Sequence, residues 1–158
     1  MFGMKFGKKK SILGVAAQAA MKEMNANQQE NVDFLEAAAA GCALIATHDG
    51  NADSAERNKA VAVLTKNKII GGIFTGPQIE AIVNSSIDKA AEGSGKQELV
   101  DELADLKNHE KGNEYAKQVY LMAKDVAKAD GSIGEKEAEA LALLGNILNV
   151  NESSFAFS

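Results

Sequence analysis

The chain holds one cysteine, one proline and no tryptophan, and aromatic residues make up only 5% of its 158 positions. With Cys42 alone no internal disulfide can form, which fits a reducing compartment. Cys42 falls on the apolar side of a helical pattern, where a lone thiol is ordinarily inert packing rather than a nucleophile or ligand. No run reaches 18 apolar residues, so no membrane-spanning helix is expected. Long β-branched runs with regular turn signals are also absent, which argues against a sandwich or barrel. What remains is alanine-rich sequence of ordinary apolar content, 46%, a composition that favours closely packed helices. A chain of this length buries about 70% of the surface it exposes when unfolded, enough for one domain without staples.

Charge is unevenly placed. The net charge is −5, but Lys5, Lys8, Lys9 and Lys10 stand in the first ten residues with no acid among them. The rest of the chain therefore carries −9. An acidic body argues against nucleic acid, which needs clustered lysine and arginine, and suits cations or basic partners. The basic arm, with Met1, Phe2, Met4 and Phe6, has the chemistry to touch an anionic membrane surface. It also resembles the start of a signal peptide, with Ile12–Ala17 as a short apolar stretch and Ala17-Gln18-Ala19 as a cleavage site; Gly14 breaks that stretch. A solvated arm is the plain alternative.

Apolar spacing predicts helices over Ser11 to about Asn25, Asn31 to Thr47, Ser54 to Lys66, a segment after Pro77, one after Ser94, Glu114 to about Lys128, and Glu135 to Asn149. The polar stretch Asn27–Glu30, the pair Gly71-Gly72 and the triplet Gly93-Ser94-Gly95 read as breaks. Capping boxes are expected at Asp53/Glu56, Thr75/Gln78, Ser94/Gln97 and Ser132/Glu135. Phe34, Ala38, Gly41, Cys42 and Ile45 recur at helical spacing as one buried stripe, Tyr115, Val119, Met122 and Val126 as another, and Ala138, Leu141, Leu144, Ile147 and Leu148 as a third. Phe155 and Phe157 would dock the tail back on the body.

One loop occurs twice. His48-Asp49-Gly50 with Glu56 returns as Ala129-Asp130-Gly131 with Glu137, 81 positions later. At the same offset Phe34 matches Tyr115, Ala38 matches Val119, Ile45 matches Val126 and Ala46 matches Ala127, so the buried stripes are in phase with the loops. Repeats of this kind disclose how a chain is built. The expectation is an all-α, compact bundle of about seven helices with internal pseudo-two-fold duplication. Residues 1–30 form the basic arm and first helix, and 31–157 the domain proper, with repeat halves at about 31–67 and 112–149.

These residues resemble the TerB (tellurite-resistance) family. The resemblance rests on Phe34-Leu35-Glu36 through Ala40-Gly41-Cys42-Ala43-Leu44-Ile45-Ala46, on Asp49-Gly50 and Glu56, and on Val126-Ala127-Lys128-Ala129-Asp130-Gly131-Ser132-Ile133 with Glu137. Leu148-Asn149-Val150-Asn151 up to Phe155 is similar to the family's usual end. The resemblance implies a cytoplasmic, membrane-peripheral protein of the tellurite and stress response. It also implies a divalent-metal sensor acting with a membrane-embedded partner. The copies differ: His48 stands where the second has Ala129, and Gly134 where the first has Asp53. The Lys8-Lys9-Lys10 arm has no counterpart in the resemblance.

Hard cations take several oxygen ligands, and the loops offer Asp49, Asp53, Glu56, Asp130 and Glu137. If the loops meet across the pseudo-dyad they could share one ion, whether Ca²⁺, Mg²⁺, Mn²⁺ or Zn²⁺, and His48 would add a nitrogen that favours Zn²⁺ or Mn²⁺. Asp49-x-Asn51-x-Asp53 begins like an EF-hand, but Ser54 and Ala60 stand where glycine and the bidentate glutamate belong. The competing reading is plain turn and cap chemistry: Asp-Gly makes turns, and carboxylates favour helix N-termini. His109 sits in a polar stretch and reads as solvated.

Catalysis finds no motif. Walker, G-x-S-x-G, H-E-x-x-H and Glu-x-x-His patterns are missing, and a non-enzymatic role is expected. The alternative to a metal-binding sensor is a scaffolding module, chaperone-associated or part of a phage particle, with no metal site.

Overall fold

The computed structural model describes residues 15–50 and 52–151, the side chains of residues 16 and 130 aside. Within them the chain forms eight α-helices and no strand: α1 Val15–Ala20, α2 Ala26–Ala46, α3 Ser54–Lys66, α4 Lys68–Ile73, α5 Gly76–Ala90, α6 Gly93–Ala104, α7 Gly112–Ala127 and α8 Glu135–Leu148. Short 3-10 turns continue α6 over Asp105–Asn108 and α7 over Lys128–Asp130. The all-helical expectation holds. Residues 1–14, with the basic arm, and the tail with Phe155 and Phe157 lie outside the described residues.

The bundle is built around α2, which packs on α3, α5, α6, α7 and α8. Every residue from Phe34 to Ala43 is buried. A helix surrounded on all sides is mostly apolar, with Glu36 the one charged residue in this buried stretch, and the alanines at 37–40 and 43 let neighbours come close. Gly41 shows how close: a Cβ there would lie 2.7 Å from Val119 Cγ1 on α7. The expected stripes on α2 and α7 are buried, and α5 buries Ile79, Ile82, Val83 and Ile87.

Several boundaries differ from the sequence reading, each for a local reason. The polar stretch Asn27–Glu30 is the first turn of α2, not a break. Asn25 Oδ1 accepts the Gln28 N–H at 2.8 Å and Gln28 Oε1 accepts the Asn25 N–H at 3.2 Å, so the polar residues are a cap. Gly71-Gly72 lies inside the six-residue α4. Asn67 Oδ1 caps the N–H groups of Ile69 and Ile70 at 3.0 and 3.1 Å, and burial of Ile70 outweighs the glycines' poor propensity.

Asp53/Glu56 and Thr75/Gln78 form capping boxes as expected. Ser94 and Ser132 do not cap. Helix α6 begins at Gly93 behind Glu92, and Gln97 bonds onward to Asp101 at 3.0 Å. Helix α8 begins behind Gly134, so its third position is Glu137 and not Glu135. Ala138 then faces solvent while Leu141, Leu144 and Leu148 are buried.

Two capping boxes interlock at the N-terminal end of α2. Gln28 Nε2 donates to Gln78 Oε1 and to the Ile73 carbonyl, both at 3.0 Å. Gln78 Nε2 donates at 3.4 Å to the carbonyl of Ala20, which ends α1. At the far end of the chain, Asn149 takes a left-handed conformation with φ 57°. The Val150 N–H then bonds to the Gly145 carbonyl at 2.8 Å, a Schellman closure of α8.

Candidate cation site

The repeated loops are built alike. Gly50 and Gly131, equivalent positions, have φ of 128° and 103°, a region that glycine enters without steric cost. They turn the chain out of α2 and α7 towards α3 and α8. In the first copy Asp53 Oδ1 accepts the Glu56 N–H at 2.8 Å and Glu56 Oε1 accepts the Asp53 N–H at 3.1 Å. In the second, Gly134 has no side chain to offer, and only the return bond remains: the Gly134 N–H donates to Glu137 Oε1 at 2.9 Å.

Glu56 and Glu137 therefore occupy the same helical position in the two halves, and both line one small pocket. Its apolar wall includes a second repeat pair, Ile45 and Val126, and His48 and Lys59 complete it. Two pairs of repeat-equivalent residues thus share this pocket. The space open to a water-sized sphere is about 20 Å³, room for one water or one ion.

The His48 ring is oriented by its own helix: Nδ1 lies 2.8 Å from the Ile45 carbonyl. A carbonyl only accepts, so Nδ1 is the donor in this bond, and Nε2 is the ring nitrogen directed away from it. Metal-binding histidines are commonly held by this kind of bond.

Of the five carboxylates read from the sequence, Glu56 and Glu137 reach the pocket. Asp53 is the exposed N-cap of α3, and Asp49 is exposed in the turn after α2. Asp130 ends the 3-10 turn behind α7, and its side chain lies outside the described residues. Among the described residues, no three of His, Cys, Asp and Glu stand close enough together to hold a metal ion. The donor types are those of a cation site, but the groups are not drawn to ligand spacing.

Lys59 is the pocket residue that sequence reasoning missed. The signal was there, because three positions after Glu56 a helical residue shares its face. Arg57 serves the frame instead: its Nη2 pairs with Asp88 Oδ1 at 2.7 Å and its Nη1 donates to Asn84 Oδ1 at 3.1 Å, tying α3 to α5. Cys42 is fully buried. Burial first, then Asp125, pushes its thiol far above the ordinary range, as expected of an inert core cysteine. His109 is half-buried rather than solvated. Its ring lies against Tyr115, centroids 5.0 Å apart, and its Nδ1 accepts the Lys111 N–H at 3.1 Å.

A family model described as tellurite resistance protein TerB matches residues 35–157, a span that contains the pocket and both loops. No curated protein and no solved structure matches the chain.

Proposed function

The chain belongs to the TerB family of tellurite-resistance proteins, and on that premise we propose a non-enzymatic sensor or adaptor. It takes up a divalent cation between its repeat halves and relays that state to a protein partner. One observation carries the reading: Glu56 and Glu137, equivalent in the repeat, meet in one pocket beside His48. Two carboxylates and an imidazole suit Mn²⁺ or Zn²⁺ better than Ca²⁺, which prefers six to eight oxygens. Uptake would have to bring these groups closer than they stand. Glu56 and Glu137 stand in the first turns of α3 and α8, and His48 follows the end of α2, so such a movement would draw on α2, α3 and α8 together.

The test is a calorimetric titration of chelator-stripped protein with Mn²⁺, Zn²⁺, Mg²⁺ and Ca²⁺, beside a Glu56→Gln/Glu137→Gln double variant. Saturable heat that the variant loses supports the reading. No heat with any ion sinks it.

A scaffolding module without a metal site is the second reading, and two observations favour it. Both glutamates already act as helix caps, and Lys59 brings a positive charge to the same pocket. On this reading the titration is silent, and the protein self-associates or co-purifies with a partner.

A further inference from the structure

We propose that copies of this chain associate head to tail, the acidic outer face of α6 in one copy seated on the basic outer face of α7 in the next. The two faces stand apart on one molecule. Around α2 the helices α3, α5, α6, α8 and α7 each pack on the next, and α7 returns to α3. Helix α8 therefore stands between α6 and α7, whose outer sides look in different directions. Helix α6 and its 3-10 turn carry Glu98, Asp101, Glu102 and Asp105, at steps of three and four that place them on one face. Asp105 follows α6 in helical conformation, φ −70° and ψ −14°, so it continues that face. Asp101 and Asp105 are exposed, Glu98 and Glu102 half-buried. Lys89 of α5 offsets part of the charge, its Nζ donating to Glu98 Oε1 at 3.2 Å. Asp101 accepts only a neutral amide, that of Gln97, and keeps its charge.

Helix α7 shows the opposite sign. Lys117, Leu121, Lys124 and Lys128 follow one another at steps of four, three and four, again one face. Lys128 closes α7 in helical conformation, φ −86° and ψ −1°. Lys117 and Lys128 are exposed and Lys124 is half-buried. Leu121 lies between them, 39% exposed. Glu114 and Asp125 border this face on the side of Gln118, but α3 brings lysines to the same edge. Asn67 Nδ2 donates to Gln118 Oε1 at 3.0 Å, and Lys66 and Lys68, on either side of Asn67, are both exposed. A basic surface with an apolar side chain in its midst thus stands on a chain whose net charge is −5.

The occupant follows from charge. Surfaces that dock present complementary potentials, and like charges opposed to one another cost several kcal/mol. The ridge of carboxylates on α6 matches the α7 face in sign, and both lie along helices of similar length. Copies of net charge −5 repel at long range. At about 0.1 M salt the screening length is about 10 Å, which damps repulsion between whole bodies more than attraction between touching groups. Exposed pairs contribute little singly, so the contact is weak and shows at high concentration. Because the two faces differ, the contact does not close on itself as a two-fold dimer does, and it can repeat from copy to copy. It requires no cation in the pocket.

The test is equilibrium sedimentation of the full chain in about 0.1 M salt. The weight-average mass of the wild type should rise past that of a dimer between about 10 µM and 1 mM. It should fall back to the monomer in about 1 M salt. Two charge-swapped variants each lose one face: Asp101→Lys/Asp105→Lys on α6, and Lys117→Glu/Lys128→Glu on α7. These positions are all exposed, so folding should survive, and circular dichroism checks it. Each variant alone should stay monomeric. Mixed in equal amounts they should form a dimer and stop there, because each supplies the face that the other lacks. Each swap moves the net charge of −5 by four, to −1 or −9, so the two variants remain alike in sign and only matched faces join them. A wild type that stays monomeric up to about 1 mM would leave the α7 face to a different acidic partner and overturn the proposal. So would a variant that assembles like wild type, or a mixture that yields no dimer.

Discussion

The ring of Phe34 stacks on the ring of Tyr115, centroids 4.5 Å apart and planes 17° from parallel, and the two are equivalent positions of the repeat. The stack brings the two halves of the repeat together at the α2–α7 contact. Both rings are buried. Replacing either with alanine removes a large apolar group and leaves a cavity, at a cost of about 3–5 kcal/mol. In a double-mutant cycle the pair should show about 0.5–1.5 kcal/mol of coupling from ring–ring geometry. Urea unfolding of Phe34→Ala, Tyr115→Ala and the double variant measures both. Strict additivity would mean that the stack is mere proximity.

Gly41 sits on the same contact. The atom that a Cβ would meet is the Cγ1 of Val119, a β-branched side chain whose rotamer inside a helix is stiff. Gly41→Ala gains about 1 kcal/mol of helix propensity and loses about 1–3 kcal/mol to overpacking. The expected net is a loss. Val119→Ala should relieve it: in that background Gly41→Ala should become neutral or stabilising in thermal melts. A Gly41→Ala protein more stable than wild type would show that α7 yields freely.

Much of this was legible because the signals are local and periodic. The in-phase stripes, Phe34 to Ile45 and Tyr115 to Val126, gave the two central helices, and the doubled Asp-Gly gave the turns with Gly50 and Gly131. Misreadings arose where a polar residue's role depends on a partner far along the chain. Gln28 looks like part of a polar break until Gln78 is seen to receive its amide. Ser132 looks like a cap until Gly134 turns out to start α8. For the pocket, the pairing of Glu56 with Glu137 follows from the repeat, whereas the spacing between side chains depends on packing that no sequence pattern reports.

Gly134 is an unfinished capping box. Its backbone is extended, φ −75° and ψ 170°, a conformation open to any L-residue. A Cβ there would meet only Glu137 Oε1, at 3.5 Å. Gly134→Ser should supply the missing acceptor for the Glu137 N–H, worth a few tenths of a kcal/mol over glycine. It also restricts the unfolded chain by about 0.4–1 kcal/mol. The melting temperature should therefore rise. A fall would mean that the loop needs glycine for a reason outside its described conformation.

The Arg57–Asp88 pair is short but wet: its side chains are 28% and 69% exposed. Exposed ion pairs contribute about 0–1 kcal/mol, so Asp88→Ala should cost no more than that, and its cost should shrink in high salt. Arg57→Ala should cost more, because Nη1 also holds Asn84 and Nε reaches the carbonyl of the buried Ala52 at 3.4 Å. Equal losses in urea titrations would place the whole effect in the ion pair.

Glu56 and Glu137 carry two duties that substitution can separate. As caps they need only an acceptor oxygen at the third helical position, and glutamine serves there as well as glutamate. As cation ligands they need the charge. Glu56→Gln and Glu137→Gln should leave stability in chelator within about 0.5 kcal/mol of wild type, yet abolish any stabilisation by Mn²⁺ or Zn²⁺. That stabilisation should reach about 2.7 kcal/mol in the wild type when the ion stands at 100 times its dissociation constant. Asp53→Ala should do the reverse, losing about 1 kcal/mol of cap energy while keeping the response to the ion. Lys59→Met should strengthen the response, since it removes a like charge from the pocket. Melting curves of the four variants, with chelator and with each ion, read both duties at once. If the wild type melts at the same temperature under every condition, the carboxylates are caps alone.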